Sequence, residues 1–242
     1  MAGFATLTGV STQSRPSPVR LLLMRHGQTH GNVAGALDTA APGLELTDLG
    51  QAQARAAARA LADRGVQDLF VSTRVRTHQT AAPTAQLHGC SPVEMPGLHE
   101  ISAGDYEMAT DDQSVLGYLS TVRSWVTGEL SVRMPGAETG HEFLERYDAD
   151  VERLTTGGAD TVLLVSHGAA IRTWVATRVA EARDRPEAVQ PLHNTGLITV
   201  EGHPRTGWRL LDWHSDPVGG SYLEDPAADD PTAEATPEAG VS

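Results

Sequence analysis

Lysine is absent from this chain of 242 residues, and all eighteen basic residues are arginine. Catalysis through a Schiff base and the usual phosphate-binding P-loop both need a lysine amine, so these two chemistries are excluded. Cys90 is the single cysteine, which excludes an intrachain disulfide and a cysteine-based zinc site. Such sparing use of cysteine is typical of a reducing compartment, so we expect a cytoplasmic protein.

Long apolar runs are also missing, since none approaches the ~18 residues of a membrane span. Residues 1–18 lack the basic start of a secretion signal, and we interpret them as a flexible leader. The net charge is −13, but residues 215–242 contain seven acidic residues and no basic one. The remainder is only mildly acidic, which argues against nucleic acid or an acidic membrane as a partner. The composition of residues 215–242 predicts an acidic tail with little fixed structure.

Three short apolar runs each lead into cationic or imidazole side chains. They are residues 19–24 followed by Arg25 and His26, residues 68–72 followed by Arg74 and Arg76, and residues 161–166 followed by His167. Runs of this kind are typical of buried parallel strands, whose carboxyl ends open onto one crevice. We therefore expect the side chains to converge. Arginine binds phosphate oxygens bidentately, and a histidine among arginines can attack phosphorus.

Six motifs follow one another between residue 19 and about residue 200. They are Arg25-His26-Gly27-Gln28-Thr29 with Asn32; Leu46-Thr47 with Gly50 and Gln53-Ala54; Ser72 with Arg76 and Gln79-Thr80-Ala81; Leu98-His99-Glu100 with Gly104-Asp105-Tyr106-Glu107; Pro135-Gly136-Ala137-Glu138-Thr139; and Val165-Ser166-His167-Gly168. An Arg-His-Gly triplet alone would be weak evidence. In this order, the set resembles the histidine phosphatase superfamily, in the branch that includes the phosphoglycerate mutases.

The resemblance implies an α/β fold with three layers, α/β/α, around a mostly parallel central sheet of the phosphoglycerate mutase-like type. We assign this domain to residues 19–214, with a small inserted cap over about residues 104–135. Local patterns predict N-caps at Thr47 and Thr139, and the latter begins a capping box. They also predict a loop over residues 32–46, helices over 48–63, 76–87 with Pro83 inside, and 169–182, and strands near 91–95, 197–201 and 208–213.

The resemblance also implies roles for individual residues. His26 would be the nucleophile, and Glu100 the proton donor and later the base. The phosphoryl oxygens would be held by Arg25, Arg76 and His167, with Asn32, Thr29 and Gly168 completing the substrate-binding set. Asp105 and Glu107 are weaker candidates for the acid. For Arg74, phosphate binding and a surface ion pair stay equally open.

A metal site is not expected in the first motif. His26 and His30 are four residues apart, which would suit a metal ion if both lay on one helix. Gly27 and Gly31 disfavour a helix interior there. We therefore predict no metal and no cofactor.

The residues after the proposed acid favour hydrolysis over mutase activity. In mutases of the family, Arg and His follow the acid, whereas here Glu100 is followed by Ile101, Ser102 and Ala103. We therefore predict a phosphomonoester hydrolase acting on a small phosphorylated metabolite. Met108 stands where many relatives carry glycine after the equivalent of Glu107, so the resemblance leaves the geometry of the cap and the class of substrate open. A phosphoglycerate mutase and a non-catalytic phospholigand sensor are the alternatives, and a homodimer, common in relatives, is left open.

Overall fold

A six-stranded mixed sheet forms the centre of the fold in the computed structural model, which describes residues 16–182, 191–228 and 230–232. The strands are β1 (Val19–Arg25), β2 (Asp68–Val71), β3 (Val93–Glu94), β4 (Thr161–Ser166), β5 (Leu197–His203) and β6 (Gly207–His214). Their spatial order is β3-β2-β4-β1-β5-β6. The first four strands in this order are parallel, and β5 and β6 are antiparallel. The centre of the sheet is thus formed by the apolar strands β1 and β4, as their sequences predict.

Helices cover both faces of this sheet. Within the described residues they are α1 (His30–Ala34), α2 (Asp48–Ala60), α3 (Val75–His88), α4 (Asp112–Val126), α5 (Gly140–Leu154) and α6 (Gly168–Arg178). None of these helices is long and apolar enough to cross a membrane.

Alternate residues of β1 enter two separate cores. Leu21 and Leu23 join the larger core, to which α4, α5 and α6 contribute. Leu22 and Met24 join the smaller core with α2 and α3. Because successive side chains of a strand point to opposite faces, this division places the two helix groups on opposite sides of the sheet. The predicted three-layer α/β/α architecture is confirmed.

The region predicted as the cap contains α4 and packs on the core. Tyr118 and Trp125 of α4 are completely buried. The Tyr118 hydroxyl donates to the carbonyl oxygen of Ile101 at 3.3 Å, which joins α4 to the residue after Glu100. We keep the name cap for residues 104–135.

Several predicted element bounds need correction. The predicted loop over residues 32–46 begins inside α1, a helix whose first turn is capped by Thr29. Pro83 lies inside α3 without ending it. The predicted helix over 169–182 ends at Arg178, followed by a short 3-10 turn at Ala180–Ala182. These local outcomes depend on caps and packing, which override intrinsic propensity.

The prediction of little fixed structure after residue 215 is wrong for residues 215–228 and 230–232, and residues 233–242 lie outside the described part. The carbonyl oxygen of Leu223 accepts from Gln53 at 2.8 Å. The Asp225 carboxylate accepts from Gln28 at 2.9 Å. Composition indicated that this segment has too little apolar surface to fold by itself. It is held on the domain by these polar contacts and by two apolar side chains, since Leu223 is buried and Val218 packs against the smaller core. The leader prediction concerns residues 1–18, of which residues 1–15 lie outside the described part.

The predicted capping box at Thr139 is present at the start of α5. The Thr139 hydroxyl accepts from the Glu142 N–H at 3.3 Å, and the Glu142 carboxylate accepts from the Thr139 N–H at 2.8 Å. Thr139→Ala should lower the free energy of unfolding by about 1 kcal/mol, because the amide at the third helical position loses its acceptor. Chemical denaturation measures this change. Ser120→Ala on the exposed face of α4 is the control, expected within about 0.5 kcal/mol of wild type. Equal effects of the two substitutions would contradict the capping role.

Candidate active site

Four of the predicted side chains meet at the carboxyl ends of β1 and β4. His26 follows β1 directly, and His167 lies between β4 and α6. Their imidazole rings pack edge to face with centroids 5.2 Å apart. Arg76 reaches the same place from the first turn of α3, and Glu100 reaches it from the segment after β3. The topology explains this convergence, because parallel neighbouring strands end at the same edge of the sheet.

The His26 ring is fixed by a hydrogen bond to the adjacent peptide. Its Nδ1 lies 2.8 Å from the carbonyl oxygen of Gly27. A carbonyl can only accept, so Nδ1 carries the proton and Nε2 keeps its lone pair. Arg76 Nε donates to Nε2 at 3.2 Å. Burial, and then the charges of Arg76 and Arg25, hold the pKa of His26 well below its ordinary 6.5. The ring is therefore neutral, as a nucleophile must be.

Two glycines of the predicted motifs allow α2 to approach this site. A Cβ atom at Gly27 would lie 2.7 Å from the Gly50 carbonyl oxygen, and one at Gly50 would lie 2.1 Å from the Gln28 carbonyl oxygen. Both separations are shorter than real Cβ contacts allow. Glycine is needed at both positions because the first turn of α2 contacts the loop that follows His26.

Asp38 orients the Arg76 guanidinium. Arg76 Nη1 lies 3.3 Å from the Asp38 carboxylate, and Nη2 donates to the Asp38 carbonyl oxygen at 2.9 Å. Burial lowers the pKa of Arg76 and the Asp38 charge opposes this. A guanidinium retains its proton under such conditions. The two contacts leave Nε directed at His26.

His167 is the second buried imidazole. Its Nε2 lies 2.7 Å from the Ser72 hydroxyl. Its Nδ1 is buried without a partner among the residues that the structure describes. Burial, followed by the charges of Arg76 and His26, lowers the pKa of His167 well below 6.5. A buried ring nitrogen without a partner, next to a proposed nucleophile, is suited to a hydrogen bond with a bound molecule.

Glu100 is held by the start of α6. Its Oε1 accepts from the N–H groups of Ile101 at 2.9 Å and Ala170 at 2.8 Å, and Oε2 accepts from Ala169 at 3.3 Å. The residue is 1% exposed. Burial raises the pKa of Glu100 above its ordinary 4.5, and the hydrogen bonds from Ile101 and Ala170 oppose this rise. A carboxyl group in this setting can both donate and accept a proton.

Arg146 fixes the segment that carries Glu100. Its guanidinium donates to the carbonyl oxygens of Gly97 at 2.6 Å, His99 at 2.9 Å and Glu100 at 3.1 Å. It also pairs with the Glu138 carboxylate at 2.6 Å. The contacts of Glu138 and Arg146 position the segment that carries the proposed acid.

Thr29 and Asn32 line the same small cavity as His26, and Gly168 follows His167 at the start of α6. Asn32 Oδ1 accepts from the Thr29 N–H at 2.9 Å and from Asn194 Nδ2 at 3.3 Å. This use of the oxygen leaves the Asn32 amide nitrogen as a donor. Gly168 is the first residue of α6, where a Cβ atom would lie 3.0 Å from Arg25 Nε.

A small cavity of about 10 Å³ joins most of these groups. Among the described residues, its lining consists of His26, Thr29, Asn32, Ala36, Asp38, Arg76, Glu100 and Thr232. Arg25 instead lines a neighbouring cavity of about 250 Å³. It is completely buried, and its guanidinium donates to Leu192, Asp230 and Thr232. Binding of a phosphoryl oxygen by Arg25 stays a prediction.

The weaker candidates occupy other positions. Arg74 Nε donates to the Thr39 carbonyl oxygen at 2.8 Å, so this side chain supports the loop before α2. The Glu107 carboxylate accepts from the Thr39 N–H at 2.9 Å. Asp105 is exposed. Of the three carboxylates considered, only Glu100 lines the small cavity.

Sequence reasoning missed four residues of the site, namely Asp38, Asn194, Asp230 and Thr232. The turn just before β5 gave a weak signal for Asn194, because polar residues follow one another there. No pattern in the sequence indicated a role for Asp38. Within the described residues, the ligand atoms of His193, Asp216 and Glu224 lie within 4.8 Å of one another, but these residues are outside the small cavity.

A neutral buried histidine beside an arginine, in one cavity with a protonatable glutamate at the edge of an α/β sheet, brings together the groups that phosphoryl transfer through a histidine requires. The model of the histidine phosphatase superfamily (branch 1) matches residues 21–216. The chain belongs to this family. The predicted family assignment is confirmed.

The chain is also similar to curated proteins over most of its length. Over 216 residues, the chain is 37% identical to a PE-PGRS family protein of Mycobacterium tuberculosis, and the match covers 83% of this chain and 37% of that longer protein. It is 29% identical over 218 residues to a probable phosphoglycerate mutase of Erwinia tasmaniensis, covering 88% of this chain and 98% of that protein.

Solved structures show the same fold. A mycobacterial glucosyl-3-phosphoglycerate phosphatase superposes with a TM-score of 0.67 at 26% identity, covering 82% of this chain and all of that one. A phosphoglycerate mutase from Bacillus anthracis superposes with a TM-score of 0.70 at 18% identity, covering 86% of this chain and 98% of that one. The predicted phosphoglycerate mutase-like fold is confirmed.

Proposed function

We propose that this protein hydrolyses phosphate monoesters through a phosphohistidine formed on His26. The observation that carries the proposal is the Nε2 atom of His26, which keeps its lone pair in a neutral ring beside Arg76 and shares a cavity with Glu100. A nucleophile, an anion-binding group and a proton donor are the three parts that this reaction needs.

In the first step, His26 Nε2 attacks the phosphorus atom as the bond to the ester oxygen breaks. Protonated Glu100 gives its proton to the departing alkoxide, so a neutral alcohol leaves. Arg76 and His167 hold the phosphoryl oxygens, where negative charge rests throughout the transfer. Arg25 joins them once its guanidinium is free, and Asn32 donates its amide hydrogen.

In the second step, the Glu100 carboxylate accepts a proton from water. The water oxygen forms a bond to phosphorus as the bond to His26 breaks, and inorganic phosphate leaves. Glu100 is then protonated again and His26 is neutral again. One carboxyl group thus serves as acid and base in turn, which its raised pKa favours.

The surroundings of Glu100 favour water over a second hydroxyl as acceptor. A mutase must bind the carboxylate and second phosphate of a sugar acid, which requires further cations near the site. Ile101 and Ala103 are completely buried apolar residues in the segment after the acid. Arg146 is committed to Glu138 and three carbonyl groups. Arg133 of the cap pairs with Glu142.

Phosphorus NMR distinguishes the two reactions. We expect inorganic phosphate to appear from at least one member of a panel containing 3-phosphoglycerate, glucosyl-3-phosphoglycerate and simple alkyl phosphates. The glucosyl ester is included because a structural relative is named for its hydrolysis. Conversion of 3-phosphoglycerate to its 2-isomer without release of phosphate would contradict hydrolysis and favour the mutase.

A further inference from the structure

The last described part of the chain lies against the residues of the site. We call residues 223–228 and 230–232 the C-terminal segment. Its Leu223 carbonyl oxygen accepts from Gln53, and its Asp225 carboxylate accepts from Gln28. Both glutamines belong to motifs that build the site. The two contacts fix the path of the segment toward Arg25.

At its end, the C-terminal segment binds the guanidinium of Arg25. Nη2 of Arg25 donates to the Asp230 carboxylate and, at 3.0 Å, to the Thr232 hydroxyl. Arg25 is completely buried and Asp230 is 8% exposed. The Nε of Arg25 has no acceptor among the described residues. Carboxylate and phosphate oxygens both accept from a guanidinium, so Asp230 occupies the Nη2 donor that a phosphoryl oxygen would use.

Thr232 also fills space beside the nucleophile. It lines the small cavity together with His26, Arg76 and Glu100, and the volume left there is about 10 Å³. Such a volume holds about one water molecule. This is less space than a phosphoryl group with three oxygens needs, and Thr232 forms one wall of it.

The backbone of Thr232 is fixed as well. Its carbonyl oxygen accepts from Arg172 Nη2 at 3.2 Å. A Cβ atom at Gly168 would lie 2.6 Å from this oxygen. The segment therefore packs directly against the first turn of α6, which lies beside His167.

We propose that the C-terminal segment is an internal competitor for the phosphoryl site. Asp230 occupies Arg25, and Thr232 fills the cavity, until a phosphate monoester displaces both. The exchange replaces one anion on Arg25 by another, so the buried cation is never left unpaired. No covalent bond forms or breaks. The inference rests on the proposed function only in that both need an oxyanion to bind beside His26.

Asp230→Asn in the full chain tests the competition. The substitution removes the charge that holds Arg25 and keeps the size of the side chain. Inorganic phosphate should bind about tenfold more tightly to the variant than to wild type, as measured by titration calorimetry, because loss of one charge-assisted hydrogen bond is worth about that factor. Asp212→Asn, which removes the same charge at an exposed position of β6, is the control and should bind as wild type does. Equal or weaker binding by Asp230→Asn, or no binding by any of the three proteins, would overturn the proposal.

Hydrogen exchange on the wild-type chain gives a second test that needs no substitution. Saturating phosphate should speed exchange of the amides between Leu223 and Thr232 by about tenfold, because the segment leaves its site. Unchanged or slower exchange would overturn the displacement.

The two proposals fail separately in these measurements. Acid-labile phosphate on His26 with no change in segment exchange would leave the hydrolase intact and refute the competitor. Faster segment exchange with phosphate, without any phosphohistidine from ester substrates, would support the competitor and refute the hydrolase.

Discussion

His26→Ala should lose essentially all turnover of phosphate esters, with kcat reduced by about 10⁴-fold or more, because no other group replaces a missing nucleophile. His26 is the imidazole whose tautomer leaves Nε2 free of a proton, fixed by the Gly27 carbonyl oxygen. His167, by contrast, is not among the described residues that line the small cavity, and its Nε2 lies 2.7 Å from the Ser72 hydroxyl. Protein denatured in alkali, where a phosphohistidine is stable, should therefore carry acid-labile phosphate in wild type and none in His26→Ala, as measured by phosphorus NMR.

His30→Ala is the matched control for this prediction. His30 is exposed and begins α1 only four residues after the proposed nucleophile. Its removal should leave kcat within about twofold of wild type, because surface substitutions away from the site change little. Phosphate trapped on His167 in the His26→Ala variant, or activity above a tenth of wild type, would refute the assignment of the nucleophile.

The central strands and their ends were predictable because their sequence signal is local and strong. Residues 162–165 form an uninterrupted apolar run between Thr161 and Ser166, and all six residues are buried in β4. Where such a strand stops is fixed by the sheet, so His167 had to lie at the same edge as His26. The same argument placed Arg76, which lies in the first turn of α3, shortly after the end of β2.

Side-chain direction was less predictable than position. Arg25 was expected to face substrate because it belongs to the Arg-His-Gly motif. In the structure, its guanidinium binds Asp230, a residue 205 positions later. Composition predicted that the tail is disordered, since few apolar residues are available for burial. Composition cannot predict that one carboxylate of this segment, Asp230, forms an ion pair with the buried Arg25.

Asp38 shows a similar limit. It lies in a loop without a recognisable motif, yet it holds Arg76 through both a carboxylate and a carbonyl oxygen. Contacts of this kind, in which one residue orients a side chain of the site, depend on how separate segments pack after folding. The sequence therefore predicted the charged and imidazole side chains of the site, such as Arg76 and His167, better than the residues that orient them, such as Asp38.

Glu100→Gln should reduce kcat/KM for alkyl phosphates by about 10²- to 10⁴-fold, the usual contribution of a general acid. The amide keeps an oxygen that accepts from Ile101 and Ala170, so the fold around it is preserved. A nitrophenyl phosphate should phosphorylate His26 at nearly the wild-type rate, since a nitrophenolate leaves without a proton. Hydrolysis of the phosphoenzyme still lacks its base. We therefore expect a burst of nitrophenol followed by a slow steady state, measured by stopped-flow absorbance.

Asp105→Asn is the control for Glu100→Gln, because Asp105 is an exposed carboxylate in the same part of the chain. Its rates should stay within about threefold of wild type with both substrates. An equal loss for alkyl and nitrophenyl esters in Glu100→Gln would mean that Glu100 supports the structure and donates no proton.

The pH dependence of kcat/KM separates the two ionisations. His26 must be neutral, and its pKa lies well below 6.5, so activity should persist well below pH 6.5 before it falls. Glu100 must be protonated for the first step, so activity should fall as pH rises through its pKa, which burial places above 4.5. The Glu100→Gln variant should lose this basic limb, whereas a limb caused by ionisation of the substrate would remain. If the variant kept the wild-type profile at a lower rate, another group would have to be the acid, because the titration would belong to a residue other than Glu100.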